Sequence, residues 1–147
     1  LEDALINHVT KFLLELGAGF SYIGRQYRLE INGDEFFLDL LFYHVRLHCY
    51  VVIELKTVKF KPEFAGKLNF YISAVDGILK TEIDNPSIGI LICKSKNDTV
   101  VEYALKDIHK PIGVSEYIIT KNLPKEFRSS LPSIEEIEAE LSGGGDE

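Results

Sequence analysis

The chain has 147 residues, 46% apolar and 27% charged, with a formal net charge of −7, which suits one globular domain able to bury a core. No run approaches the roughly 18 uninterrupted apolar residues of a membrane span, and LEDALINHV is neither a signal peptide nor basic enough for an organelle presequence, so a cytoplasmic, non-membrane setting is expected. The acidity is lopsided: residues 133–147 hold six of the 23 acids and none of the 16 bases, leaving residues 1–132 at −1, so a polyanionic partner is not excluded.

Leu5, Ile6, Val9, Phe12, Leu13 and Leu16 recur at helical spacing and Gly17 with Gly19 ends the pattern, predicting an amphipathic helix over 2–16 with Glu15 at the edge of its apolar stripe. The chain has no methionine and opens inside this pattern, which points to a piece of a longer protein. Residues 25–31 alternate as a half-exposed strand, Asn32-Gly33 signals a type I′ hairpin, and further strands are predicted at 36–43 and 49–56, giving an antiparallel meander. Pro62 opens a helix of about 18 residues, PEFAGKLNFYISAVDGIL. Asn85-Pro86 breaks the chain before an apolar strand at 88–93. A short helix at 98–105, a strand at 114–119, an acidic helix after Pro132 and the tail SGGGDE complete the pattern. The expected fold class is an α/β sandwich on a mixed sheet flanked by helices, with one domain at 1–141 and a flexible acidic tail at 142–147.

Asp39 and Glu54 interrupt otherwise apolar strands. If the second and third strands pair around a loop centred between Arg46 and Leu47, Asp39 lies opposite Glu54, and two like charges at such a pair repel. A divalent cation removes the conflict. A two-residue Asn32-Gly33 loop puts Gln26 opposite Asp39, alternation puts Lys56 on the face of Glu54, and the first helix could bring Glu15 over it. Hard oxygen donors suit Mg²⁺ or Mn²⁺ rather than Zn²⁺. Phosphodiester hydrolysis needs an oriented water, a cation that lowers its pKa, and positive charge at the pentacovalent phosphorus. In that chemistry Asp39 and Glu54 hold the metal, with Glu15 and the Leu55 carbonyl as further ligands, and Lys56 orients the water.

Lys67 and Tyr71, one helical turn apart, either face the substrate or are a solvated lysine and a packed tyrosine; the sequence leaves both open. His44 and His48 flank a strand loop, where their spacing has no metal-binding meaning. Cys49 and Cys93 lie in apolar runs without ligand spacing and read as buried thiols.

The pattern D-x₁₄-E-x-K (Asp39, Glu54, Lys56) resembles the PD-(D/E)XK nuclease superfamily. GRQYRLE, DLLFYH, VVIELK, GKLNFYISAVD, NPSIGILICKSKN, EYAL and KPIGVSEY further resemble the C-terminal domain of the bacterial YhcG-type nuclease family. The resemblance implies a restriction-endonuclease-like α-β-β-β-α-β core, Mg²⁺-dependent cleavage of nucleic acid, most simply DNA, action as a homodimer to cut both strands, and a missing N-terminal helical domain. It matches Glu15 to a helix-one glutamate and Lys67 to a position near the scissile phosphate. Leu38 stands where the superfamily motif has proline. The competing expectation is a catalytically silent module that keeps the nuclease fold for nucleic-acid binding or oligomerisation.

Overall fold

The computed structural model describes residues 9, 10 and 19–116. Five strands form one sheet in sequential order, β1 (Phe20–Ile31), β2 (Asp34–His44), β3 (Cys49–Lys59), β4 (Ile88–Ser95) and β5 (Ile112–Glu116), with helices α1 (Pro62–Ile78) and α2 (Asp98–Leu105) between the last three. The first three strands pair antiparallel and the last three parallel. The reason is connection length, since a hairpin needs only a turn and a parallel neighbour needs a crossover.

Asn32 and Gly33 adopt φ of 48° and 94°, the paired left-handed conformations that a type I′ turn demands. The β2–β3 hairpin closes at His44 and Cys49, with its loop centred between Arg46 and Leu47. Pro62 opens α1 without a side-chain cap from Lys61, whereas Asn97 caps α2 by accepting from the amides of Thr99 and Val100.

Both described helices lie on one face of the sheet. Ala65, Leu68, Tyr71, Ile72 and Val75 of α1 share a buried cluster with Leu41, Val52, Leu91, Cys93 and Val114 of the sheet, and α2 packs against it. The seat is close at Gly89, where a Cβ would lie 2.4 Å from Ile72 Cδ1. On the other face Leu40, Phe42, Val51, Ile53, Leu55, Ile90 and Ile92 are at most 4% exposed, and Val9 is buried too. Double coverage explains why these strands read as nearly continuous apolar runs.

Two features depart from the sequence reading. Strand β1 begins at Phe20, five residues before the expected Arg25, because an irregularity between Tyr22 and Gly24 breaks the period-two pattern. The extension is held by Phe20 and Tyr22 edge-on to Phe42, at 5.9 and 5.7 Å between ring centroids. Strand β2 also changes its facing: Leu38 and Leu41 belong to the same cluster although three residues apart, so the alternation slips between them, at Asp39. Gln26, across from that point, has a φ of 47°. The final strand starts at Ile112 rather than Val114. Most of the expected helix at 2–16, the expected strand residues 117–119 and the acidic helix and tail lie outside the described residues. No described helix is long and apolar enough to cross a membrane.

Candidate active site

The β2–β3 ladder runs from His44–Cys49 to Leu40–Ile53. One step further, Asp39 and Glu54 meet through side chains. The Asp39 amide donates to Glu54 Oε2 at 2.8 Å, and the Leu55 amide donates to Asp39 Oδ2 at 2.9 Å. Each acid thus takes a backbone donor from the opposite strand, so the ladder continues through carboxylates. Gln26 lies in the register position expected for it, and its Nε2 reaches Asp39 Oδ1 at 3.4 Å, at the weak limit of a hydrogen bond.

Glu54 is 3% exposed. Burial, and after it the neighbouring Asp39 charge, push its carboxyl up to about 7; the Asp39 amide, Lys56 and Lys67 pull the other way without prevailing. The site thus sets a buried acid, whose ionised form its surroundings oppose, beside a second acid. Tyr71 behind them is 3% exposed, and its hydroxyl is raised by burial and then by Glu54 and Asp39. It is the packed alternative left open above, while Lys67 is exposed.

Two ammonium groups border the acids, each over an aromatic ring. Lys56 Nζ lies 5.1 Å from the centroid of Phe64, and Lys67 Nζ lies 5.6 Å from that of Tyr71. Phe64 was invisible as a site residue in the sequence, because only the return of α1 over β3 brings it to Lys56. Lys59, Lys61 and Lys94 are exposed near the same strand ends, where Lys59 pairs with Ser95. None of the three makes an ion pair among the described residues, whereas Lys96 contacts Asp98 at 2.5 Å. The spacing of lysines at 56, 59 and 61 was the available sequence signal.

Leu55 turns its side chain to the opposite face, fully buried, with its amide bound to Asp39. Glu15 lies outside the described residues. Among the described residues no three His, Cys, Asp or Glu converge as a metal cluster; the Asp39–Glu54 pair stands by itself. Its chemistry fits Mg²⁺ or Mn²⁺: all donors are hard oxygens, and a cation would relieve the cost of two adjacent acids, one buried. His44 is a core residue that closes the hairpin, accepting from the Leu47 amide at Nδ1. Cys49 and Cys93 are free and buried.

The family model for the YhcG PDDEXK nuclease domain matches residues 1–132. The chain is 40% identical over 127 residues to the Escherichia coli K12 protein named "Putative nuclease YhcG", a match covering 86% of this chain and 33% of that protein. The chain therefore spans about a third of that relative. Among solved structures it is similar to EndoMS in its apo form (TM-score 0.55, 17% identity, 80% of this chain and 47% of that one) and in the complex titled EndoMS-dsDNA2 (0.51, 18%, 74% and 43%), likenesses that establish a shared restriction-endonuclease-like fold. A mixed sheet of that fold, with a family match over residues 1–132, places the chain in the YhcG PDDEXK nuclease-domain family.

Proposed function

We propose that this domain is a divalent-metal-dependent endonuclease that hydrolyses DNA phosphodiester bonds. The observation that carries the reading is the reciprocal pairing of Asp39 and Glu54 through each other's strand, with two ammonium groups alongside. Asp39 and Glu54, with Glu15 and the Leu55 carbonyl, would hold Mg²⁺ or Mn²⁺, which when bound lowers the pKa of water and offsets phosphate charge. Lys56, steered by the Phe64 ring, orients the attacking water and faces the charge that builds on phosphorus. Gln26 restrains Asp39. Lys67, held over Tyr71, meets a phosphate next to the scissile one, and Tyr71 acts from within the core as its platform. Lysines 59, 61 and 94, exposed and without an ion pair among the described residues, extend this positive edge, so the overall −7 does not oppose a polyanion. DNA is favoured as substrate by the EndoMS relative solved with dsDNA. Cutting both strands calls for two copies, and the remaining two-thirds of the E. coli relative's length leaves room for an N-terminal helical domain.

The test is cleavage of supercoiled plasmid and circular single-stranded DNA in Mg²⁺ or Mn²⁺. Cleavage by wild type and its loss in Asp39→Ala and Lys56→Ala supports the reading. Equal cleavage by all three overturns it, and DNA binding without metal dependence or turnover marks a silent binding module.

A further inference from the structure

Helix α1 buries Ala65, Leu68, Ile72 and Val75 and exposes Gly66, Lys67, Phe70 and Ser73. Glycine inside a helix weakens it relative to alanine, so it is expected where a Cβ would collide. Gly89 in β4 has such a reason, because a Cβ there would run into Ile72. Gly66 has none among the described residues, where a Cβ meets nothing within 4 Å. Gly77 is equally open among the described residues but lies in the last turn, one residue from the helix end and away from Phe70, and serves as the control. Gly66 thus leaves open space on the exposed face of α1.

One turn along from Gly66, Phe70 is 42% exposed. Its ring lies 4.9 Å from that of Phe36, at 59°, and 6.0 Å from that of Tyr71. Phe36 is three residues from Asp39 along β2, roughly 10 Å at the rise of a strand. Lys67 shares the exposed face of α1, three residues before Phe70, with its ammonium 5.6 Å from the centroid of the Tyr71 ring. An exposed phenylalanine on a rigid helix, backed by a second ring, offers a flat apolar surface beside the charged site. In a duplex the faces of the bases are already stacked on one another, so only an unpaired base has a face to lay against such a ring.

We propose that Gly66, Lys67 and Phe70 form a docking face for an unpaired nucleotide of the substrate strand, next to the phosphodiester held at Asp39 and Glu54. Phe70, supported by Phe36, takes the face of the base. Lys67 meets its phosphate, and Gly66 lets the sugar–phosphate backbone approach the helix. This rests on the nuclease reading and adds a substrate class: single-stranded or locally unpaired nucleic acid, held by stacking and so with little sequence preference.

The experiment measures fluorescence anisotropy of a labelled oligodeoxynucleotide, single-stranded or annealed to its complement, with the 147-residue chain in EDTA. Wild type should bind the single strand about tenfold more tightly than the duplex, and Phe70→Ala should lose about tenfold on the single strand while staying within about twofold on the duplex. Phe70→Trp should retain the preference. Gly66→Ala should weaken single-strand binding and Gly77→Ala should not, although both raise the melting temperature by a few degrees through helix propensity. Wild-type preference for duplex, or unchanged single-strand binding in both Phe70→Ala and Gly66→Ala, overturns the proposal. If those variants still cut DNA, the docking face alone has failed. If wild type neither binds nor cuts any DNA, the nuclease reading has failed with it.

Discussion

The two ends of the β2–β3 pair make opposite use of polar groups. At the hairpin end a group of polar side chains is answered by complementary partners. Tyr43 donates to Asp84 Oδ1 at 2.5 Å, Asp84 Oδ2 accepts from the amide and hydroxyl of Thr81, and Asn85 Nδ2 donates to the Leu47 carbonyl. The Asp84 contact pushes the Tyr43 hydroxyl up to about 12 and holds the Asp84 carboxyl below its ordinary value. At the other end Asp39 and Glu54, fifteen residues apart in sequence, accept backbone amides yet confront each other, and the Glu54 carboxyl is pushed up to about 7. The first end is arranged for stability. The second sets two acids side by side at a cost in stability, the arrangement on which the proposed metal site rests.

The largest expected effect separates the ends by activity. Lys56→Ala should lower DNA cleavage by about 10²–10³-fold, the scale for loss of a transition-state donor, with little change in melting temperature, because Lys56 is only half-buried. Substitutions at the hairpin end should leave cleavage unchanged when compared at equal fractions folded.

Stability against pH gives the next effect. The folded Glu54 carboxyl sits near 7 against an ordinary 4.5, so the folded state binds the proton more tightly than the unfolded chain. Its contribution is fully present below about 4.5 and is lost as pH rises to about 7, by no more than ~3 kcal/mol in total. Urea unfolding in EDTA across this range should show wild type losing stability relative to Glu54→Gln, with the two curves parallel above pH 7. At pH 8, Mn²⁺ should raise the wild-type melting temperature and leave that of Asp39→Ala unchanged.

Gly19→Ala probes the hairpin end. Gly19 has a φ of 95°, and a Cβ there would lie 2.9 Å from the buried His44 ring. Thermal unfolding should show a loss of ~1–3 kcal/mol, with metal affinity unaltered. The smallest effect is expected for Tyr43→Phe, whose exposed hydroxyl bond to Asp84 is screened by water. A spectroscopic titration should show its disappearance as the loss of a tyrosine whose hydroxyl is pushed up to about 12.

Much of the site was legible because strand pairing obeys arithmetic. Asn32-Gly33 specifies a two-residue turn, and a symmetric loop about Arg46 and Leu47 sets the next register, so the sequence alone aligns Gln26, Asp39 and Glu54. The early start of β1 was hidden because its irregularity near Gly24 removes the alternation by which a strand is recognised. The slip in facing at Asp39 was hidden for the same reason. It also rests on contacts with α1, more than twenty residues away in the chain.

By itself the sequence determined which residues carry charge inside apolar strands, the order and type of the elements, and the register of two hairpins, since these follow from side-chain period and turn chemistry over short stretches. Tertiary structure decided the rest. It buried Glu54 enough to hold its proton near neutrality, turned Tyr71 inward and left Phe70 outside, and set Phe64 beneath Lys56. Those outcomes depend on how closely α1 settles over Gly89 and Val52, a long-range packing distance that no local pattern encodes.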